Sequence, residues 1–185
     1  MKRGLLIAAA LFCLPSTGAA KVYLTKADAL ALAFPAATTV EKKTLFLDDE
    51  QLDAVRREAK ADVKERIWTY YVGSSSGRVL GYVYFDRVVV RTMPAVLTAH
   101  VDSEGRLRFL EVMSFEEPED YLPRKRWLGL FADKGLGDDL RVRGAIRNVS
   151  GATLTSEALT RSARRMLAVH GAARRSGLRA HEEKK

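Results

Sequence analysis

The chain has 185 residues, with 31 Lys and Arg against 23 Asp and Glu, for a formal net charge of +8 at neutral pH. Its one cysteine, Cys13, lies in a segment expected to be removed, which excludes disulfides, thiolate metal sites and thiol nucleophiles from the mature protein. An apolar content of 47% suits one folded domain with a real core.

Met1-Lys2-Arg3, the apolar run from Leu5 to Leu14, and the break at Pro15 into Ser16-Thr17-Gly18-Ala19-Ala20 read as a secretory signal peptide, residues 1–20. Gly18 and Ala20 place the cut before Lys21. The run is too short for the roughly 20 residues of a membrane-spanning helix, and no later run approaches that length. The expectation is an exported, periplasmic protein, one domain over 21–173 and a basic mobile tail over 174–185. Loss of Lys2 and Arg3 leaves a charge of +6. Much of the excess sits in Arg161, Arg164, Arg165, Arg174, Arg175 and Arg179. It reads either as a solvated helix face or as a docking surface for an acidic redox partner or anionic lipid head groups. An exported chain does not meet nucleic acid.

Thr25 caps a predicted short helix with Ala27, Leu30, Ala31 and Phe34 at helical spacing, ended by Pro35. A strand over Thr44–Leu47 follows, then a helix capped by Asp48 with Leu52, Val55 and Ala59 on one face. Ile67–Val72 and Val79–Phe85 predict a hairpin, and Val96–Val101 and Leu107–Val112 two more strands about the turn at Asp102-Ser103-Glu104-Gly105. After the acidic run Glu116–Asp120, a helix is expected over Arg124–Ala132 with Trp127, Leu128 and Phe131 on one side. A closing helix over Thr155–His170 carries Leu159, Ala163, Met166, Leu167 and His170 on one stripe and arginines opposite. The class is α+β, a central antiparallel sheet flanked by helices.

The stretch Ile146–Ser156 reads as a strand end followed by small and hydroxyl residues that open a helix. Small residues let a ligand approach the backbone, and the free amides and dipole of the helix start favour a phosphate. A helix cap by Thr153 or Thr155 is the plainer alternative. The three histidines have no metal-ligand spacing, and no hydrolytic constellation or nicotinamide site is evident.

Ser150-Gly151-Ala152-Thr153-Leu154-Thr155-Ser156 resembles the flavinylation motif of the FMN-binding domain family, whose members include flavin-bearing components of the sodium-translocating NADH:quinone oxidoreductase and of the Rnf complex. The resemblance implies an FMN-binding-domain-like fold and a flavin transferase that moves FMN from FAD onto Thr153. Ser150, Gly151, Ala152, Leu154 and Thr155 would then surround the phosphate. Family members also carry Glu-Thr-Pro upstream, then a Trp-containing helix and a phenylalanine. Glu116, Glu117, Pro118, Trp127 and Phe131 follow that order here, so the likeness covers about residues 67–170. It implies that Glu116, Glu117, Pro118 and Trp127 help wall in the flavin, with simple core packing of Trp127 and Phe131 as the alternative.

Two positions depart from the family. Arg147 stands where an aspartate thought to assist the transferase is usual, and Glu117 stands for threonine. Both leave open a member that holds FMN without the bond, its phosphate paired by Arg147, Arg141 and Arg143. The reading is a periplasmic electron-transfer flavoprotein with a membrane or haem redox partner, and not a stand-alone enzyme. Its alternative is a non-redox or regulatory module of the same fold that binds a phosphate-bearing ligand or a partner helix.

Overall fold

The computed structural model describes the backbone of residues 21–182 and side chains through residue 177, so the expected signal peptide lies outside the described residues. In chain order the elements are β1 (Lys21–Val22), α1 (Lys26–Ala33), β2 (Thr39–Phe46), α2 (Asp49–Ala59), β3 (Ile67–Ser75) and β4 (Arg78–Val89). There follow β5 (Pro94–Val101), β6 (Leu107–Phe115), α3 (Lys125–Leu128) and α4 (Thr153–Glu182). All six strands form one antiparallel sheet in the order β1-β6-β5-β4-β3-β2, so the fold is α+β.

Local sequence explains the starts of the two early helices. Thr25 accepts from the Asp28 amide while Asp28 reaches back to the Thr25 amide, and Asp48 and Gln51 make the same reciprocal box on α2. In α1 the buried positions are Ala29, Ala33 and Phe34, whereas Ala27 and Ala31 of the expected stripe are exposed. This helix is alanine- and leucine-rich all round, so its sequence periodicity does not mark the buried face. Its packing does: the Phe34 ring lies where a Cβ on Gly73 would stand, 2.3 Å from the nearest ring atom, which only glycine permits.

The strands run longer than the sequence reading. β2 starts at Thr39, β4 reaches Val89, and β6 continues to Phe115. The β4 extension carries Asp86, a residue that ordinarily argues against a strand interior. It is tolerated because Ser162 donates to its carboxylate at 2.7 Å and Arg165 at 2.6 and 3.1 Å, all three groups meeting between sheet and helix. Burial still pushes the Asp86 carboxyl above its usual range against the pull of Arg165 and Ser162.

Two layers enclose the core. Trp68, Tyr84, Leu97, Ala99 and Leu110 of the sheet meet Leu52 and Val55 of α2 and Leu159, Ala163, Met166 and Leu167 of α4. The opposite face is covered by α1, through Ala33 and Phe34 against Val83. The expected stripe of α4 is buried throughout, including His170, whose Nδ1 shares a 3.0 Å hydrogen bond with the Tyr84 hydroxyl. Burial pulls the His170 pKa down to about 4.

Three differences concern the C-terminal third. Helix α4 begins at Thr153 and continues to Glu182, past the expected end at His170 and through most of the segment expected as a mobile tail. The Trp127 helix is only one turn, Lys125–Leu128, followed by a 3₁₀ turn over Gly129–Phe131. No strand ends at Ile146; the chain from Asp133 to Ala152 is a series of turns anchored by buried Leu140 and Ile146.

Not every α4 arginine lies on a solvated face. Arg164 is buried and donates to the carbonyls of Ala59 at 2.6 Å and Glu58 at 2.9 Å, closing the C-terminus of α2, with a longer contact to Leu140. A cation there also meets the negative end of the α2 dipole. Arg164→Ala should therefore lower stability by about 2–4 kcal/mol, since buried carbonyls lose their donor. Exposed Arg161→Ala should change it by no more than about 0.5 kcal/mol. Urea denaturation compares the two, and equal effects would contradict this account.

Candidate functional site

Helix α4 begins without a side-chain cap. Ala152 precedes its first residue, and the first helical bond runs from the Ser156 amide to the Ala152 carbonyl at 3.0 Å. Among the described residues no acceptor takes the amides of Thr153, Leu154 or Thr155. Neither threonine caps the helix. Ser156 turns back instead, accepting from the Val149 amide at 3.0 Å and donating to the Ala152 carbonyl at 3.1 Å, which fixes the turn before the helix.

Gly151 has φ +77, a left-handed conformation that side chains other than glycine's adopt with strain, although nothing stands within 4 Å of where its Cβ would be. The constraint here is therefore backbone shape and not space. Thr153, half-buried, accepts a 2.8 Å hydrogen bond from Asn148 Nδ2. Thr155 is only 1% exposed and its Oγ1 has no partner. An orphaned buried hydroxyl costs on the order of 1–3 kcal/mol, and Asn148 Oδ1, on the side chain that bonds Thr153, is likewise buried without a partner.

These residues line one cleft of about 280 Å³, formed by Gly151, Ala152, Thr153, Leu154 and Thr155 together with Arg91 and Tyr121. The Arg91 guanidinium lies 4.5 Å from the centre of the Tyr121 ring. Leu154 is 51% exposed at its rim. Three larger hollows lie elsewhere, the smallest of them, about 300 Å³, among Ala61, Lys64, Arg161 and Arg165. One of about 470 Å³ on the α1 side of the sheet runs past Lys26, Tyr71 and Phe85. Another of about 740 Å³ lies among Arg57, Lys60, Arg141 and Arg164, where Arg164 is already committed to backbone carbonyls.

The upstream motif reaches the cleft indirectly. Glu117 is 7% exposed, and its Oε1 accepts from the amides of Arg91, Thr92 and Met93 at 3.0, 2.7 and 2.9 Å, which ties down the turn joining β4 to β5. Burial alone would push this carboxyl up, but the three amides and the Arg91 charge outweigh it and hold it below the usual range. Glu116 is exposed and its amide bonds the Pro94 carbonyl; Pro118 is exposed and opens the 3₁₀ turn over Glu119–Tyr121 that presents Tyr121.

Trp127 does not line the cleft. Its ring is buried edge-on to Phe131, 5.3 Å between centroids, and its Nε1 donates to the Arg147 carbonyl. It thus pins the segment that leads into the motif. Ser150 and Arg147 are exposed outside the cleft, and Arg141 is paired with Asp139. The cation at the cleft is Arg91, a residue the sequence reading did not single out. Its position depends on a carboxylate 26 residues later, and no local pattern signals that link.

Among the described residues no cluster of His, Cys, Asp and Glu could hold a metal ion, and no helix is long and apolar enough to cross a membrane. Comparison with known proteins finds no family model that matches the chain and no curated protein that matches it significantly.

The Glu117 anchor makes a pH prediction. A carboxylate whose folded pKa is depressed contributes stability that is fully present above its unfolded pKa and is lost as pH falls through the folded one. Glu117→Gln should cost about 1–2 kcal/mol at neutral pH through weaker acceptance from the three amides. The gap between variant and wild type should narrow once the pH drops below about 4. Urea denaturation across this range checks it, and a pH-independent gap would contradict it.

Proposed function

We propose that the cleft at the start of α4 holds FMN with its phosphate bonded to Thr153, and that the protein is an exported electron carrier with an FMN-binding-domain-like fold. The observation that carries this reading is the set of free amides of Thr153, Leu154 and Thr155 around the orphaned Thr155 hydroxyl, at the motif that resembles the flavinylation sequence. Three parallel amide donors and a nearby arginine fit a phosphate group. Tyr121 and the exposed Leu154 offer the apolar flank a flavin ring requires.

Each residue then has a task. Asn148 holds the Thr153 oxygen by donating to it, leaving the hydroxyl proton free to depart. A flavin transferase would join Thr153 Oγ1 to the FMN phosphorus of FAD, with the pyrophosphate bond broken, AMP released and the hydroxyl proton taken by a base of the transferase. The amides of α4 and Arg91 would take up the phosphate charge. Bound FMN would supply the redox chemistry, and an ester bond prevents its loss by dilution outside the cytoplasm.

A cleft of about 280 Å³ is at the small end for ligand sites. It suits the phosphate end and one edge of the ring, leaving the rest of the ring at the surface, within reach of a membrane or haem redox partner.

Mass spectrometry of the mature protein co-expressed with a flavin transferase tests the proposal. An FMN increment is expected on the peptide that contains Thr153. Thr153→Ala should abolish it while costing only about 1 kcal/mol of stability, since one hydrogen bond is lost. Thr155→Ala, whatever it does to affinity, should leave the bond on Thr153. An increment present only in Arg147→Asp would keep the cleft reading and place the defect in the transferase signal. No increment and no bound flavin in either protein would overturn the proposal and favour the non-redox phosphate-binding module.

A further inference from the structure

The turn between β4 and β5 has no flavin-family motif of its own, yet it carries the one cation that lines the cleft among the described residues. Three consecutive amides of that turn converge on a single oxygen of Glu117, an anchoring stronger than a four-residue hairpin turn requires. The turn is also closed by the Val90 amide bonding the Met93 carbonyl at 3.0 Å. A short turn already closed by its own backbone does not need a nearly buried carboxylate to exist. What the carboxylate adds is a fixed direction for the first residue of the trio, Arg91, whose guanidinium is laid on the Tyr121 ring facing the α4 start.

Arg91 is an exposed residue that makes no salt bridge among the described residues, although its charge acts on the nearby Glu117 carboxylate, while most other arginines that line hollows are paired with carboxylates or backbone carbonyls. Opposite it stand three free amides and a buried hydroxyl that also lacks a partner. The cleft therefore carries a cation on one wall and free amide donors on the other, with no carboxylate among its lining residues. An anionic group with several acceptor oxygens completes it from outside.

We propose that Arg91 is the phosphate-binding side chain of the cleft and that Glu117 is its positioning residue, which acts through the β4–β5 turn without touching the ligand. The proposal rests on the reading of the cleft as a phosphate site, and it assigns Glu117 a role different from that of a wall against the flavin ring. A phosphate lodged between Arg91 and the α4 amides meets charge-assisted bonds from two elements that are far apart in sequence. The guanidinium loses less freedom when it binds because it already rests over the Tyr121 ring.

The test uses the full mature chain produced without a flavin transferase, titrated with FMN, riboflavin and inorganic phosphate by fluorescence and calorimetry. Arg91→Gln should weaken FMN by about 10- to 100-fold, the loss of one charge-assisted contact, and leave riboflavin unchanged. Arg91→Lys should recover part of the loss. Glu117→Gln should weaken FMN and spare riboflavin, and the double variant Arg91→Gln/Glu117→Gln should be no weaker than Arg91→Gln alone, since both changes remove the same contact. Arg91 is exposed, so its variants keep the proposal falsifiable even if Glu117→Gln folds poorly.

Equal losses for FMN and riboflavin, or strictly additive effects of the two substitutions, would overturn the positioning claim. A wild-type protein that binds inorganic phosphate in an Arg91-dependent manner but no flavin would sustain this inference while the flavin reading fails. A wild-type protein that binds FMN and riboflavin equally well, indifferent to Arg91, would sustain a flavin site and overturn this inference. Binding of none of the three probes would overturn both.

Discussion

The packing of α4 along the sheet governs where everything else can lie. Leu159, Ala163, Met166 and Leu167 bury one stripe against the sheet and α2, and the Asp86–Arg165–Ser162 contact fixes the helix to β4. With the helix seated, its first turn has one possible location, beside the end of β4 and the turn that follows. The Ser156 bridge to Val149 and Ala152 then shapes the chain entering the helix so that Ala152, which has no capping group, precedes it. The free amides are thus a consequence of core packing combined with the small residues of the motif.

A second constraint arrives from the other side. Glu117 leaves β6 and reaches under the β4–β5 turn, and the 3₁₀ turn just after it presents Tyr121. Trp127 plays a different part, since its indole NH holds the backbone at Arg147 while its ring stays in the core with Phe131. The segment upstream of the motif therefore supports the cleft at two separated points, one through Arg91 and one through the chain leading to Gly151. Residues that would be read together as the wall of a pocket divide into a lining group and a supporting group.

Features set by neighbours in sequence were legible before the structure. The caps Thr25 and Asp48, the buried face of α2, and the stripe on α4 follow from residues within one or two turns of each other. Strand ends and the cation at the site were not, because they depend on distant partners. Asp86 looks like a strand terminator until Arg165 and Ser162 are placed beside it, and Arg91 looks like an ordinary turn arginine until Glu117 is seen to hold its amide. The buried arginine Arg164 misled for the same reason: its helical position looks solvent-facing, and only the carbonyls at the end of α2 explain why it turns inward.

The central claim is that the uncapped start of α4 exists to hold a flavin phosphate. Its most direct measurement is the visible absorption spectrum of the protein, purified from its native cells and then precipitated with acid. The account predicts a yellow protein whose flavin bands stay with the precipitate. A protein that is colourless as purified would contradict it.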